Sequence, residues 1–156
     1  MNFEHYKSLR KQLLSNLTEN GEQAAADIRQ MHPLVLAYIG DAIFSVKVRM
    51  RLIEREKNKV RVLHDVGAKM VSAIMQSKAY DVVAEILDED EQGVARRGRN
   101  AKSTVPKSAS VHEYRQSTAL EALLGYLFLT ENYARLDEIF ELSFETITAV
   151  MVGLDH

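Results

Sequence analysis

The chain has 156 residues, of which 46% are hydrophobic, enough for a single domain with a sizeable core. It contains no cysteine, which excludes disulfide frameworks, thiolate zinc sites and cysteine nucleophiles, and which fits a reducing cytoplasm. The net charge of -2 argues against a protein that coats nucleic acid through bulk electrostatics. No apolar stretch is long enough to cross a membrane, so we expect a soluble, cytoplasmic protein.

Apolar residues recur at three- and four-residue spacing almost throughout the first half of the chain, which predicts packed helices rather than strands. Pro33 stands where a helix commonly begins, because the N–H that proline lacks is unpaired at that position anyway. The predicted helices here are Phe3–Leu17, ending near the turn pair Asn20-Gly21, a short piece from Glu22 to Gln30, Pro33–Glu56 and Leu63–Gln76.

The second half continues the helical pattern, with one interruption. Between Arg99 and Ala109 the periodicity disappears, which predicts an exposed loop. Ser110 and Glu113 then have the spacing of a capping box at a helix start, and Gly153 is predicted to end the last helix. The predicted helices are Tyr80–Leu87, Glu89–Gly98, Val111–Thr130 and Tyr133–Val152, the last two separated by a break at Asn132.

Two carboxylates stand out because each is the only charge in an otherwise apolar helix. Asp41 is the only charged residue between Leu34 and Val46, and Glu121 is the only one between Ser117 and Leu129. These are the two most apolar helices, so we expect them to form the central pair. A carboxylate in such a place must be ion-paired, hydrogen-bonded, protonated or bound to a metal ion.

From spacing alone, a structural ion pair with Arg or Lys remains open beside the metal-site interpretation, since buried ion pairs also produce isolated charges. Gly40 precedes Asp41, and Gly125 follows Glu121 by one turn. Glycine in a helix costs about 1 kcal/mol relative to alanine. Some compensation, such as close helix approach or ligand access, is therefore expected at both glycines.

The residues around these carboxylates resemble a known family. Residues 38–43, Tyr-Ile-Gly-Asp-Ala-Ile, are similar to the signature helix of ribonuclease III, and residues 120–125, Leu-Glu-Ala-Leu-Leu-Gly, to its second motif. Residues 97–102, Arg-Gly-Arg-Asn-Ala-Lys, and 114–118, Tyr-Arg-Gln-Ser-Thr, resemble motifs of the branch called Mini-ribonuclease III, which lacks the double-stranded-RNA-binding domain. The resemblance covers about residues 34–129.

This resemblance implies an all-α ribonuclease III endonuclease fold that works as a homodimer. We expect residues 1–156 to form one catalytic domain, with the motif-bearing core at about 33–152. The chain departs from the larger ribonuclease III pattern at three positions, where Leu34, Ala37 and Thr118 stand in place of acidic residues. Only two metal-binding carboxylates can therefore be carried over, and the number of metal ions is left open.

The implied function is a Mg²⁺-dependent endoribonuclease that cleaves double-stranded RNA and leaves 5′-phosphate products. By resemblance, Asp41 and Glu121 are the catalytic residues and hold the ion, which supplies an activated water. The implied substrate is a precursor of ribosomal RNA, 23S rRNA in particular, and a ribosomal protein is a conceivable partner.

The basic segment at the end of the predicted helix Glu89–Gly98 and in the loop after it is the best candidate for RNA contact. Residues 96–107 include five basic and no acidic residues, and a long, irregular, basic loop between helices is uncommon. A duplex of RNA offers phosphates and 2′-hydroxyls to such groups. The candidates are Arg96, Arg97, Arg99, Asn100, Lys102, Ser103 and Lys107. A secondary candidate is the stripe of Lys47, Arg51 and Arg55, which we expect to be merely solvated.

Two other functions compete with the nuclease. One is a catalytically silent, ribonuclease III-like dimer that binds RNA or a ribosomal protein as a scaffold, although a scaffold would not need to keep charges in apolar helices. The other is a nucleotide pyrophosphohydrolase, which would need a Glu-rich helix, and Glu141 and Glu145 are the nearest approach to one. The five histidines lack the spacing of a zinc site and are expected at the surface or at helix caps.

Overall fold

The computed structural model describes residues 2–18 and 27–155, and within these ranges it contains seven α-helices and no strand. This confirms the predicted all-α class. The helices are α1 (Phe3–Thr18), α2 (Pro33–Ile53), α3 (Val60–Met70), α4 (Ala73–Val83), α5 (Glu89–Asn100), α6 (Val111–Leu129) and α7 (Tyr133–Asp155). Short 3₁₀ turns at Ile28–Gln30 and Ala84–Ile86 precede α2 and follow α4.

The core is built around α6, which packs most extensively against α2 and also contacts α4 and α5. Leu36 and Phe44 of α2, together with Leu120 and Leu124 of α6, are completely buried. The α7 helix packs across α4, and the ring of its Phe140 lies edge-on to Phe44 at 5.9 Å between centroids. The expectation that the two most apolar helices form the central pair is therefore confirmed.

Side-chain caps fix the starts of α2, α5 and α6. Pro33 begins α2 as predicted, and the Nδ1 atom of His32 accepts the N–H of Leu34. At the start of α6, the Ser110 hydroxyl and the Glu113 carboxylate each bind the other's backbone N–H, which confirms the predicted capping box. The start of α5 has a second capping box, between Asp88 and Glu91, which the sequence analysis did not identify.

Three predicted helix boundaries are wrong. The segment Leu63–Gln76 is not one helix, because Ser72 is extended and its hydroxyl accepts the N–H of Met75, which starts α4. The predicted helix Tyr80–Leu87 is accordingly the second half of α4 and the turn after it. Gly153 does not end α7, because none of the described glycines adopts the left-handed conformation that terminates a helix.

The N-terminal helix α1 stands apart from the core. None of its residues is buried, and the apolar side chains along it, including Phe3 and Leu17, are exposed. The predicted stop at Asn20-Gly21 lies outside the described residues, as does the beginning of the predicted piece Glu22–Gln30, of which Ile28–Gln30 forms a 3₁₀ turn. Among the residues described, no helix is both long enough and apolar enough to cross a membrane.

Candidate active site

The two isolated carboxylates lie on facing helices that approach each other unusually closely. A Cβ atom on Gly40 would come within 1.7 Å of the carbonyl oxygen of Glu121, so only glycine fits at this crossing of α2 and α6. Asp41 follows Gly40 directly, and it is therefore held beside Glu121. The glycine predicted to allow close helix approach does so at the candidate site itself.

Neither carboxylate belongs to a structural ion pair. Across residues 2–18 and 27–155, no Lys, Arg or His nitrogen forms a salt bridge with Asp41 or Glu121. The nearest charge that acts on Glu121 is that of Asp41, which is also negative. The ion-pair alternative left open by the sequence is therefore wrong for the described part of the chain.

The electrostatic state of the site follows from this arrangement. The pKa of Glu121 is raised from 4.5 to about 8, mainly by burial and also by the negative charge of Asp41, while the side-chain amide of Gln76 offsets part of the rise. Burial against the neighbouring helix also raises the pKa of Asp41, although that side chain is open to solvent on one side. Two adjacent carboxylates without a cation favour either a proton or a bound metal ion.

The donor set suits a hard divalent cation that keeps several waters. Carboxylate oxygens are the ligands that Mg²⁺ prefers, and Mg²⁺ is usually held by one or two carboxylates while retaining water. Within the described ranges no group of three or more His, Asp or Glu side chains could enclose an ion. The protein thus offers two charged ligands here, and water must supply most of the coordination.

The positions where the larger family has acidic residues do not supply a replacement ligand. Ala37 is buried. The hydroxyl of Thr118 donates to the backbone carbonyl of Tyr114 at 3.0 Å, within its own helix. Neither side chain adds a charge to the site.

Gln76 is the polar group at this site that the sequence analysis missed. It lies on α4, is only 2% exposed, and its amide acts on the Glu121 carboxylate. The sequence placed it at the end of a helix, where a glutamine is ordinarily solvated. Recognising Ser72 as a helix cap would have moved Gln76 into the second turn of α4, on the face that packs against α6.

The candidate RNA-binding residues are grouped at one end of α5 and in the loop after it. All seven candidates are exposed to solvent: Arg96, Arg97, Arg99, Asn100, Lys102, Ser103 and Lys107. Arg96 and Arg99 line a small groove of about 220 Å³ beside Tyr80. Arg97 instead donates to the carbonyl of Arg29 at 2.6 Å, and the hydroxyl of Ser103 bonds the Tyr114 hydroxyl at 3.1 Å.

The basic stripe on α2 has structural partners for two of its members. Lys47 pairs with Asp137 at 2.7 Å and lies over the ring of Phe140, while Arg51 pairs with Glu141. These contacts tie α2 to α7. The expectation that this stripe is merely solvated is therefore wrong for Lys47 and Arg51. Glu141 forms an ion pair with Arg51, which speaks against a role for Glu141 in a Glu-rich metal motif.

A larger groove lies away from the carboxylates. It has a volume of about 390 Å³ between α2 and α3, and its wall is mainly apolar, with Leu52, Val60 and Leu63 among the lining residues. Neither Asp41 nor Glu121 lines it. The carboxylates, rather than this groove, are therefore the candidate active site, because catalysis usually depends on charged or polar groups placed at the reacting atoms.

Comparison with known proteins identifies a family domain in the region that contains both carboxylates. The Ribonuclease III domain matches residues 34–132. The chain is 41% identical over 121 residues to Mini-ribonuclease 3 from Thermoanaerobacter sp., which covers 77% of this chain and 85% of that protein. It is 39% identical over 127 residues to Mini-ribonuclease 3 from Brevibacillus brevis, covering 81% and 95%. A crystal structure of a protein from Fusobacterium nucleatum is similar, with a TM-score of 0.70, 30% identity, and coverage of 78% of this chain and 98% of that chain.

Proposed function

Since this chain belongs to the ribonuclease III family, whose members are endoribonucleases, we propose that it cleaves double-stranded RNA using a divalent ion, Mg²⁺, held by Asp41 and Glu121. The observation that carries the proposal is the pairing of these two carboxylates, side by side and without a cation. The match begins before Asp41 and ends after Glu121, so both motifs lie within the family domain. The likeness to Mini-ribonuclease 3 proteins supports the same activity.

Each residue has a defined task in this proposal. A bound Mg²⁺ supplies an activated water and stabilises negative charge on the leaving oxygen. Asp41 and Glu121 bind the ion in their ionised forms, and the Gly40 contact holds their helices at a fixed separation. The products carry a 5′-phosphate and a 3′-hydroxyl.

The RNA duplex is proposed to lie over the end of α5 and the loop after it. Arg96, Arg99 and Lys102 are exposed and can contact phosphates or 2′-hydroxyls across the wide minor groove of A-form RNA. Asn100, Ser103 and Lys107 extend the same surface. Arg97 reaches it from α5, with one guanidinium N–H already bound to the Arg29 carbonyl.

We propose that the active form is a homodimer joined along α2. This helix presents Val35, Tyr38, Val46 and Met50 at intervals of about one or two turns. All four are exposed, and Tyr38 is 81% exposed. A contiguous apolar stripe on a monomer typically marks an interface. A two-fold axis along this stripe would give one site for each strand of the duplex.

The cellular role we propose is the maturation of ribosomal RNA precursors, 23S rRNA in particular, in the cytoplasm. This role extends the resemblance found in the sequence, and the likeness to the Mini-ribonuclease 3 proteins supports the underlying ribonuclease activity. A structured precursor contains the duplex that the basic surface would bind. A ribosomal protein bound to the precursor is a conceivable partner. We further propose that the whole of residues 1–156 acts as one catalytic domain, with its core at about 33–152.

The test is cleavage of a long RNA duplex by the purified protein, with Mg²⁺ or with a chelator. We expect cleavage with Mg²⁺ only, and its loss in Asp41→Asn and in Glu121→Gln. Asp65→Asn, which changes an exposed aspartate on α3, is the matched control and should cleave normally. Cleavage that survives either site substitution, or that needs no metal, rules the mechanism out.

The alternative is a silent scaffold that binds RNA without cutting it. Duplex binding by the wild-type protein with no cleavage under any divalent metal would favour that alternative. Retention of both carboxylates in a site without a cation speaks against it, because a scaffold gains nothing from the cost of burying Glu121.

A further inference from the structure

Among the described residues at the site, Gln76 has a buried side-chain oxygen without a hydrogen-bond partner. Its Nε2 atom donates to the backbone carbonyl of Val71 at 2.9 Å, which fixes the orientation of the amide because a carbonyl can only accept. The amide nitrogen also faces Glu121, because the hydrogen bond from Gln76 that lowers the pKa of Glu121 must be donated by an N–H. The Oε1 atom is the other end of the same amide. It is buried and has no hydrogen-bond partner. A buried, unpaired amide oxygen is costly and asks for an explanation.

The register of α4 against α6 places this amide beside Glu121. The side chain of Gln116 accepts from the Ser77 hydroxyl at 2.6 Å and donates to Asp81 at 3.1 Å. The amide of Gln76 acts on Glu121, so the contacts move backward along α4 as they move forward along α6, and the two helices run antiparallel. Glu121 follows Gln116 by little more than one turn of α6, and Gln76 directly precedes Ser77 on α4.

We propose that Gln76 is the third protein group of the metal site, a positioning residue whose Oε1 accepts a hydrogen bond from a water bound to the ion. An acceptor that lacks a donor, next to two carboxylates that lack a cation, fits a hydrated divalent ion between them. The inference rests on the proposed function. It names what assists the two carboxylates where Ala37 and Thr118 contribute no charge.

A purely structural role for Gln76 makes a different prediction. The bond to the Val71 carbonyl links the end of α3 to α4, so Gln76 could serve that link alone. In that case Gln76→Glu would lower the free energy of unfolding more than Gln76→Met, because it buries a charge. Neither variant could donate to Val71. If Oε1 accepts from a water on the ion, Gln76→Glu keeps a side-chain oxygen at that place. The Mg²⁺ affinity of Gln76→Glu should then be higher than that of Gln76→Met.

The experiment measures Mg²⁺ affinity of the full chain without RNA, by calorimetric titration. Removing a group that orients a metal's ligands typically costs about 10- to 100-fold in affinity, and we expect that loss in Gln76→Met. Gln76→Glu should recover at least part of it. The matched control is Gln116→Met, which removes another buried amide from the same helix interface and should leave the affinity within about twofold of wild type.

A second measurement needs no variant and so does not depend on a variant folding. In the wild-type protein, substoichiometric Mn²⁺ should broaden the side-chain amide NMR signals of Gln76 before those of Gln116 and Gln92. Unperturbed Gln76 signals, or equal loss of affinity in Gln76→Met and Gln116→Met, would overturn the inference while leaving the proposed function intact. A wild-type protein that binds neither Mg²⁺ nor Mn²⁺ would overturn both.

Discussion

Gly40 and Gly125 face each other where α2 crosses α6, and each lies against the backbone of the other's helix. A Cβ on Gly40 would be 2.8 Å from the amide nitrogen of Gly125, and a Cβ on Gly125 would be 1.9 Å from the carbonyl oxygen of Leu36. The two backbones are therefore in direct contact. This contact sets the distance between the helices that carry Asp41 and Glu121.

We expect Gly40→Ala to impair both stability and catalysis. The added methyl group meets backbone rather than a flexible side chain, so α2 and α6 must move apart. Overpacking of this kind typically costs about 1–3 kcal/mol and sometimes more, and misplacement by about 1 Å can cost about 100-fold in rate. Chemical denaturation and duplex cleavage measure the two effects.

The matched control for Gly40→Ala is Gly93→Ala. Gly93 is also helical, but a Cβ there meets nothing within 4 Å. Alanine should stabilise α5 by up to about 1 kcal/mol. Wild-type activity and stability in Gly40→Ala would show that the close helix contact is not required.

The pKa of Glu121 predicts how the stability of the metal-free protein depends on pH. The value is raised from 4.5 to about 8, so between these pH values the folded protein holds a proton that the unfolded chain has released. The free energy of unfolding should therefore fall as the pH rises from about 4.5 to about 8. Denaturation across this range should show a shallower decline in Glu121→Gln, and identical slopes would contradict the prediction.

Metal binding should be linked to the same proton. A metal ion binds the ionised carboxylate, so Mg²⁺ should displace a proton from Glu121 at any pH below about 8. Calorimetry in two buffers of different ionisation enthalpy counts the protons released.

Asp41→Asn removes the neighbouring negative charge and should lower the pKa of Glu121, which carboxyl-carbon NMR can follow. An unchanged pKa would mean that the two carboxylates do not interact.

A second carboxylate, Glu91, should matter for stability rather than for catalysis. Its side chain is 3% exposed and is bound through both oxygens by Arg135, at 2.9 Å each, while it also caps α5. Arg135→Met would leave a buried charge without its partner, at a cost of about 3–5 kcal/mol. Asp90→Asn, which breaks the exposed pair with Arg29, should cost less than about 1 kcal/mol. Equal costs in denaturation would contradict this account.

The basic surface formed by the end of α5 and the loop after it should contribute to RNA affinity in a salt-dependent way. For each phosphate contact removed, the slope of log affinity against log salt should flatten by about 0.9. We expect this for Arg99→Gln and for Lys102→Gln, measured by duplex binding at several salt concentrations with a chelator present. Arg97→Gln should in addition lower the stability, because Arg97 also binds the Arg29 carbonyl. An unchanged slope in both Arg99→Gln and Lys102→Gln would identify this basic surface as ordinary solvated surface.

Local signals in the sequence were sufficient for much of the fold. The start of α2 at Pro33, the capping box at Ser110 and the break at Asn132 depend on interactions within a few residues, and such interactions can be read directly along the chain. The boundary at Ser72 was missed because its apolar flanks continue the helical periodicity. The Asp88–Glu91 box was missed because consecutive acidic residues resemble a solvated surface.

The sequence by itself determined which two charges are out of place, since a lone carboxylate in an apolar helix is visible without coordinates. Whether Asp41 and Glu121 have cationic partners depends on residues far apart in the chain, and only the packing of α2 on α6 decided that they face each other instead. The same holds for Gln76, whose unpaired oxygen exists only because α4 places it in a buried interface. Hydrophobic periodicity fixes the faces of helices, but tertiary contact decides which polar groups are left without partners.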